Sequence, residues 1–302
     1  MNYANLFSRA WALIWRNKFL LALGFLAALS GDALSQVRIG PELSLLGGGG
    51  LLRANVLDID GWTRALRLLG GNLVAATIIT VVAGLIMMVA VLSGRAALVV
   101  SAHALDHRET IDLSEALRRG VRLIAPILIT SLLLYIPFLI ACEIVGELLR
   151  LSPGIIRLPI YILVLALSVV QIVLALMHPL AICGIVIHRL DPIASIEQSW
   201  RLIREHPEEM LIIAAALGSL GLIFGAVAHL VLSSVAGVSL LSILLAGPLS
   251  SFANLGLTLS FTTLTIIAGA ILAPARAYQF VALTLAYQEW TENPAEPREG
   301  GR

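Results

Sequence analysis

The chain has 302 residues, of which 59% are hydrophobic and 13% are charged, and its formal net charge is +1. So few polar residues cannot cover the surface of a soluble globule of this length. The near-neutral charge and the lack of a basic tract argue against a nucleic-acid partner. Because the long apolar runs are continuous rather than alternating, the composition predicts an all-α, polytopic membrane helical bundle.

In chain order, six apolar runs reach or approach the roughly 20 residues that a membrane crossing needs. They predict transmembrane helices near 17–34, 72–94, 123–146, 157–180, 210–234 and 256–276. Six crossings put both termini on one side of the membrane. With the N-terminus inside, fourteen of the 20 Lys and Arg residues lie on the inner side, as the positive-inside rule requires. We therefore expect a multi-pass protein of the cytoplasmic (inner) membrane with both termini in the cytoplasm.

A short amphipathic, arginine-bearing segment precedes the first, third and fifth runs, and we call these segments the elbows. Each contains a small residue, then Trp or Val, then Ala or Arg, then Leu-Ile. The three copies are Ala10-Trp11-Ala12-Leu13-Ile14, Gly120-Val121-Arg122-Leu123-Ile124 and Ser199-Trp200-Arg201-Leu202-Ile203. Helical spacing gives each elbow an apolar stripe opposite its charges, as in a helix that lies in the headgroup plane. A break is expected after each elbow, at Asn17, Pro126 and Pro207.

The apolar stripes of the elbows are Tyr3, Phe7, Trp11 and Ile14; Leu113, Leu117, Val121 and Ile124; and Ile193, Ile196, Trp200 and Ile203. Membrane anchoring is the simplest interpretation, and specific binding of lipid or docking of a protein partner on the cytoplasmic elbows is the alternative. The candidate lipid or partner contacts are Trp11, Arg16, Arg118, Arg122, Trp200, Arg201 and Arg204.

The second helix of each pair is expected to exceed 30 residues and to continue past the inner boundary. Arg95 and Arg276 hold the same place in the first and third pairs, with Ala181 at that place in the second. The pattern predicts one membrane domain, 1–290, built from repeat units at about 1–110, 111–191 and 192–290. An extracytoplasmic loop at about 35–71 and a polar cytoplasmic tail at 291–302 complete it. Gly31-Asp32-Ala33 leaves open a signal-peptidase site.

Ionisable and polar residues inside a membrane are costly, so they are the first functional candidates. The candidate intramembrane polar site consists of Glu143, Gln171, His178 and His229. These side chains are either paired polar residues of the core or the proton or substrate site of a transporter. Gly221 and Gly225, at a GxxxG spacing on the fifth helix, are interpreted as a helix-packing face.

Enzyme signatures are weak throughout the chain. His103 and His107 have the i, i+4 spacing that lets two imidazoles meet one metal, but the glutamate of an HExxH motif is missing. The two cysteines have no metal-ligand or CxxC spacing. We therefore predict no catalytic residues, no cofactor and no metal site.

Three segments carry a family resemblance: "SRAWALIWRNKFLLALGFLAAL", "GRAALVVSAHALDHRETIDLSEALRRG" and "SIEQSWRLIREHPEEM". They resemble uncharacterised bacterial multi-pass proteins similar to the membrane domain of glycerophosphoryl diester phosphodiesterases. In the full-length enzymes a soluble catalytic barrel follows that domain, whereas this chain ends shortly after Trp290. The resemblance therefore implies a membrane domain without the hydrolase activity. Two hypotheses remain: a non-enzymatic module that binds lipid or a partner, and a small secondary transporter with a polar site among helices 3–6.

Overall fold

A computed structural model of the chain describes residues 3–29, 73–151, 157–246 and 251–292, and every regular element within these ranges is an α-helix. The all-α prediction is confirmed for them. The expected loop at 35–71, the possible cleavage site at 31–33 and the tail beyond 292 lie outside the described residues. The helices are α1 (Tyr3–Arg16), α2 (Phe19–Ala28), α3 (Leu73–Asp106), α4 (Leu113–Arg122), α5 (Ile124–Leu151), α6 (Arg157–His188), α7 (Pro192–Glu205), α8 (Pro207–Ala246) and α9 (Ser251–Glu292).

Five of these helices, α3, α5, α6, α8 and α9, contain segments long and apolar enough to cross a membrane. The pair α1 and α2 makes a sixth candidate if the two are taken as one span, bent by 104° between them. The bend falls at Asn17, as predicted, and the Asn17 side-chain amide donates to the Leu13 carbonyl at 3.0 Å. The protein is therefore a membrane-embedded helical bundle.

The other two elbows also end at a break in the helix. The break after α4 is at Leu123 rather than at the predicted Pro126, which lies in the first turn of α5. Proline is tolerated there because its missing N–H would have no helical partner. The break after α7 is at His206, and Pro207 is the first residue of α8.

Three long helices, α3, α6 and α9, contact one another and form the centre of the bundle. Their lengths are 34, 32 and 42 residues, as expected for helices that exceed a membrane crossing. Pro179 and Pro274 lie inside α6 and α9, which continue past them. The centre includes Leu98, Val99, Leu180, Ile182, Val281 and Leu283, all fully buried. It is apolar, apart from polar contacts such as that of the Cys183 Sγ with the Thr284 Oγ1 at 3.7 Å.

Each elbow packs on one of these three central helices: α1 on α9, α4 on α3, and α7 on α6. The small residue of the shared motif, Ala10, Gly120 or Ser199, is buried in every case. A Cβ atom at Gly120 would lie 2.6 Å from the Ser93 carbonyl oxygen of α3. The faces packed on the bundle are Leu6, Ala10 and Ile14 of α1, Ala116 and Gly120 of α4, and Ser195, Ser199 and Leu202 of α7. The small motif residue lies at each contact, whereas Trp11, Val121 and Trp200 of the apolar stripes are exposed.

Local capping explains where two of the elbows begin. The Asp112 carboxylate accepts a hydrogen bond from the Glu115 backbone N–H at 2.8 Å and starts α4. That bond, together with one from the Ser114 hydroxyl, lowers the pKa of Asp112. Elbow α7 begins at the predicted Asp191-Pro192, with the proline at the first helical position, where its fixed φ suits a helix.

The glycines show which helix faces are in close contact and which face open space. Gly24 of α2 lies against α9, where an added Cβ would overlap the Ala273 carbonyl oxygen and come within 2.9 Å of the Ala277 Cβ. At Gly218, Gly221 and Gly225 an added Cβ would meet no atom of the described residues within 4 Å. Among the described residues, the predicted packing face at Gly221 and Gly225 therefore has no close partner.

We expect Gly24→Ala and Gly218→Ala to have opposite effects on stability. Gly24→Ala should destabilise the protein by about 1–3 kcal/mol, because the backbone of α9 must move to make room. Gly218→Ala should be neutral or stabilising by up to about 1 kcal/mol, since alanine is the better helix former. Thermal unfolding in detergent measures both. Equal midpoints for the two variants would contradict the close contact between α2 and α9.

Candidate functional site

The surface of the three elbows is the first candidate site. The residue that follows the buried small residue is exposed in all three: Trp11 by 49%, Val121 by 52% and Trp200 by 45%. The basic candidates Arg16, Arg118, Arg122, Arg201 and Arg204 are exposed as well. Each elbow thus has a buried face that includes its small motif residue, a bulky apolar residue that is about half exposed, and exposed guanidinium groups.

Aromatic contacts attach the first elbow to the last helix. The Tyr278 ring of α9 lies 6.3 Å from the Phe7 ring and 6.0 Å from the Trp11 ring, and its hydroxyl donates to the Phe7 carbonyl at 3.3 Å. Arg9 also pairs with Asp106 at the end of α3. These contacts join the first elbow to two central helices, so the elbow surface has a defined position on the bundle.

A buried polar cluster is the second candidate site. The His178 Nε2 of α6 lies 2.9 Å from the Ser131 Oγ of α5, and the Tyr135 ring lies 5.5 Å from the imidazole. Ser131 already donates its proton to the Ile127 carbonyl at 2.8 Å. With the serine proton in that bond, the Nε2–H tautomer of His178 donates to the serine oxygen; in the other tautomer the hydroxyl donates to the Nε2 instead.

Two arginines extend this cluster. Arg95 of α3 and Arg276 of α9 are each only 8% exposed, and Arg95 lies within electrostatic range of Arg276, Tyr135 and His178. Arg276 also donates to the Gln279 Oε1 at 2.7 Å. From the sequence alone, both arginines count among the inner-side charges and lie outside the predicted polar site. Their matched positions in the first and third units were the signal that pointed to a shared location.

The residues of the predicted intramembrane site do not come together but are spread along α5, α6 and α8. Gln171 and His178 are buried on α6, about 10 Å apart along its axis. Glu143 is exposed on α5, twelve residues from Ser131 and so about 18 Å further along that helix. His229 lies in α8, and its side chain is outside the described part of the structure. His178 therefore meets Ser131 and Tyr135 rather than Glu143.

The histidine pair at the end of α3 is held by α9. The His103 and His107 rings are 4.5 Å apart, and the Gln288 side-chain amide lies 2.7 Å from the His103 Nδ1. Among the described residues, no group of three His, Cys, Asp or Glu side chains is placed to hold a metal. The contact between His103 and Gln288 thus joins α3 to α9.

A cavity of about 530 Å³ lies beside the third elbow, where α7 meets the ends of α6 and α9. Its walls include His188 of α6, Gln198, Arg201 and Glu205 of α7, and Trp290 of α9. Of the predicted contacts, Arg201 is the one that lines this cavity. The cavity combines a basic, an acidic and an aromatic group at one end of the bundle.

We expect Ser131→Ala to destabilise the protein by about 1–2 kcal/mol, because it leaves the buried His178 Nε2 without its hydrogen-bond partner. Ser219→Ala is the matched control, since the Ser219 hydroxyl is exposed and bonds only to the Ala216 carbonyl of its own helix. Thermal unfolding in detergent gives the comparison. If Ser131→Ala behaved like Ser219→Ala, the hydrogen bond between α5 and α6 would have no energetic importance.

Comparison of the chain with protein-family models, with curated proteins and with solved structures finds no match. The resemblance to the membrane domain of glycerophosphoryl diester phosphodiesterases therefore stays a prediction from the three quoted segments. The elbow surface, the buried cluster and the cavity are the features from which a function is proposed.

Proposed function

We propose that this chain is a non-enzymatic, multi-pass inner-membrane module that binds membrane lipid, or a protein partner, through its three elbows. The observation that carries the proposal is the shared order of the elbow motif: a buried small residue followed by an exposed bulky one. A bulky apolar group directed away from the protein, next to guanidinium groups, suits the boundary between acyl chains and headgroups.

Electrostatics supports lipid as the first occupant. A Lys or Arg near an anionic leaflet contributes about 1 kcal/mol of attraction. Five of the candidate elbow arginines are exposed, so their combined attraction would hold the elbows on the leaflet. The same surface would accept an acidic face of a protein partner. This proposal includes N- and C-termini in the cytoplasm, which places the elbows at the inner leaflet.

The contacts of the elbows support the proposed repeat units. The first elbow packs on the last central helix, the second on the first, and the third on the second. This cyclic order is what three equivalent hairpins around a common axis would produce. We therefore propose three repeat units, each consisting of an elbow and a hairpin, that present three similar surfaces to one leaflet.

A small secondary transporter is the second candidate function. The observation in its favour is the burial of His178, Arg95 and Arg276 together among α3, α5, α6 and α9. Charged groups at membrane depth commonly mark substrate or ion pathways. The module hypothesis instead treats this cluster as a polar contact that fixes the central helices.

We expect the double variant Arg118→Gln/Arg122→Gln to retain less anionic lipid than the wild type in native mass spectrometry. At about 1 kcal/mol for each charge, the loss should be roughly tenfold or more. Arg119→Gln is the matched control on the same elbow, because Arg119 is paired with Glu115 at 2.6 Å. The control should lose less lipid. If the double variant lost no more lipid than Arg119→Gln, or lost none, lipid attraction by the exposed arginines would be contradicted.

The two candidate functions are separated by His178→Ala. The transporter hypothesis predicts that a small molecule retained by the wild type is lost in this variant while the fold, measured by circular dichroism, is kept. The module hypothesis predicts an unchanged set of bound species and lower thermal stability. Native mass spectrometry of the same preparations gives both readouts, with Ser219→Ala as the control.

A further inference from the structure

Two imidazoles stand side by side at the C-terminal end of α3. The rings of His103 and His107 come from residues one helical turn apart, and their centres are 4.5 Å apart at an interplanar angle of 51°. Two imidazoles that share one metal ion at the usual ~2.0–2.1 Å metal–nitrogen distance have ring centres roughly 4.5–5 Å apart. The pair therefore has the ring spacing of two ligands of one ion.

A hydrogen bond to the main chain fixes the proton of the second ring. The His107 Nδ1 lies 2.9 Å from the His103 carbonyl oxygen. A carbonyl oxygen only accepts, so in the neutral ring the proton is on Nδ1 and the lone pair is on Nε2. Metal-binding histidines normally donate their other ring N–H in this way. Because His107 is exposed, an ion in solution has access to it.

The first ring receives the same kind of support from α9. The Gln288 side-chain amide lies 2.7 Å from the His103 Nδ1, with its nitrogen toward the ring. In this orientation the Gln288 Oε1 is buried and makes no hydrogen bond within the described residues. A half-turn of the amide brings the oxygen to Nδ1, where it accepts the Nδ1–H. The His103 Nε2, on the side of the ring away from Gln288, then has the lone pair that binds a metal.

Carboxylates lie near the pair without completing a set of three ligands. Asp106, Glu109 and Glu292 act electrostatically on His103, and Asp106 is paired with Arg9. Within the described ranges, His, Cys, Asp and Glu side chains form no group of three that could hold a metal. The two imidazoles are thus the protein ligands, water takes the remaining positions, and the negative charges of Glu109 and Glu292 attract the ion.

The missing glutamate of the HExxH motif removes a reaction from this pair and leaves its ligands in place. In that motif the glutamate is the general base, whereas the two histidines bind the metal. We propose that His103 and His107 bind one transition-metal ion through their Nε2 atoms. Cu²⁺, Ni²⁺ and Zn²⁺ are the suitable ions, because they prefer imidazole ligands. The ion stabilises the contact of α3 with α9 through Gln288, and its binding is independent of lipid binding by the elbows.

Calorimetric titration of the full-length protein in detergent with Cu²⁺ or Zn²⁺ tests this, on a preparation without a polyhistidine tag. The wild type should bind one ion. His107→Gln should lower the affinity at least about tenfold, since loss of a supporting hydrogen bond alone typically costs 10–100-fold. His188→Gln is the matched control, because His188 is an exposed histidine at the end of α6 and the residue one turn before it is Gly184. It should bind like the wild type.

Electron paramagnetic resonance of the bound Cu²⁺ counts its imidazole ligands, and the wild-type spectrum tests the pair without any variant. It should show two imidazoles, and the spectrum of His107→Gln should show one. A wild type that binds no ion, or holds Cu²⁺ through a single imidazole, would overturn the proposal. Equal affinities of the wild type and His107→Gln would assign the ion to an adventitious surface site and overturn it as well.

Discussion

Close approach of helix backbones at small residues is the constraint on which the rest of this bundle depends. In a bilayer the lipid tails are as apolar as leucine, so helices associate through packing rather than through hydrophobic exclusion from water. Gly24 places α2 directly against the Ala273 carbonyl, and Gly120 places α4 against Ser93. In each elbow the small motif residue packs against a central helix, and the bulky residue that follows it in the sequence is exposed. The outward-facing apolar surface of an elbow is thus a consequence of how the elbow is attached.

This coupling links the fold to the proposed function. The three central helices give the elbows a fixed frame, and the shared motif directs Trp11, Val121 and Trp200 away from it. The guanidinium groups then lie beside apolar side chains at the ends of the bundle, which is the arrangement that an interfacial anchor requires. The third elbow differs because it borders a cavity whose walls carry both charges.

Much of the fold could be predicted from local sequence, because helix length, helix starts and breaks depend on neighbouring residues. The start of α7 at Asp191-Pro192 and the bend at Asn17 are examples. Contacts between distant residues could not be predicted. His178 meets Ser131 from 47 positions away, and the burial of Arg95 beside Arg276 depends on the packing of α3 against α9. The small residues of the elbow motif are visible in the sequence, but their burial against α9, α3 and α6 depends on contacts with residues far away in the chain.

The most direct test of the outward-facing elbow is spin-label accessibility along α4, in a background with Cys142 and Cys183 replaced. Labels placed singly at Ala116, Arg118 and Val121 sample its buried, basic and apolar faces. The label at Val121 should collide with oxygen dissolved in lipid, the one at Arg118 with a water-soluble nickel complex, and the one at Ala116 with neither. If the Val121 label instead collided with the nickel complex alone, the elbow would face water, and lipid contact through this face would be contradicted.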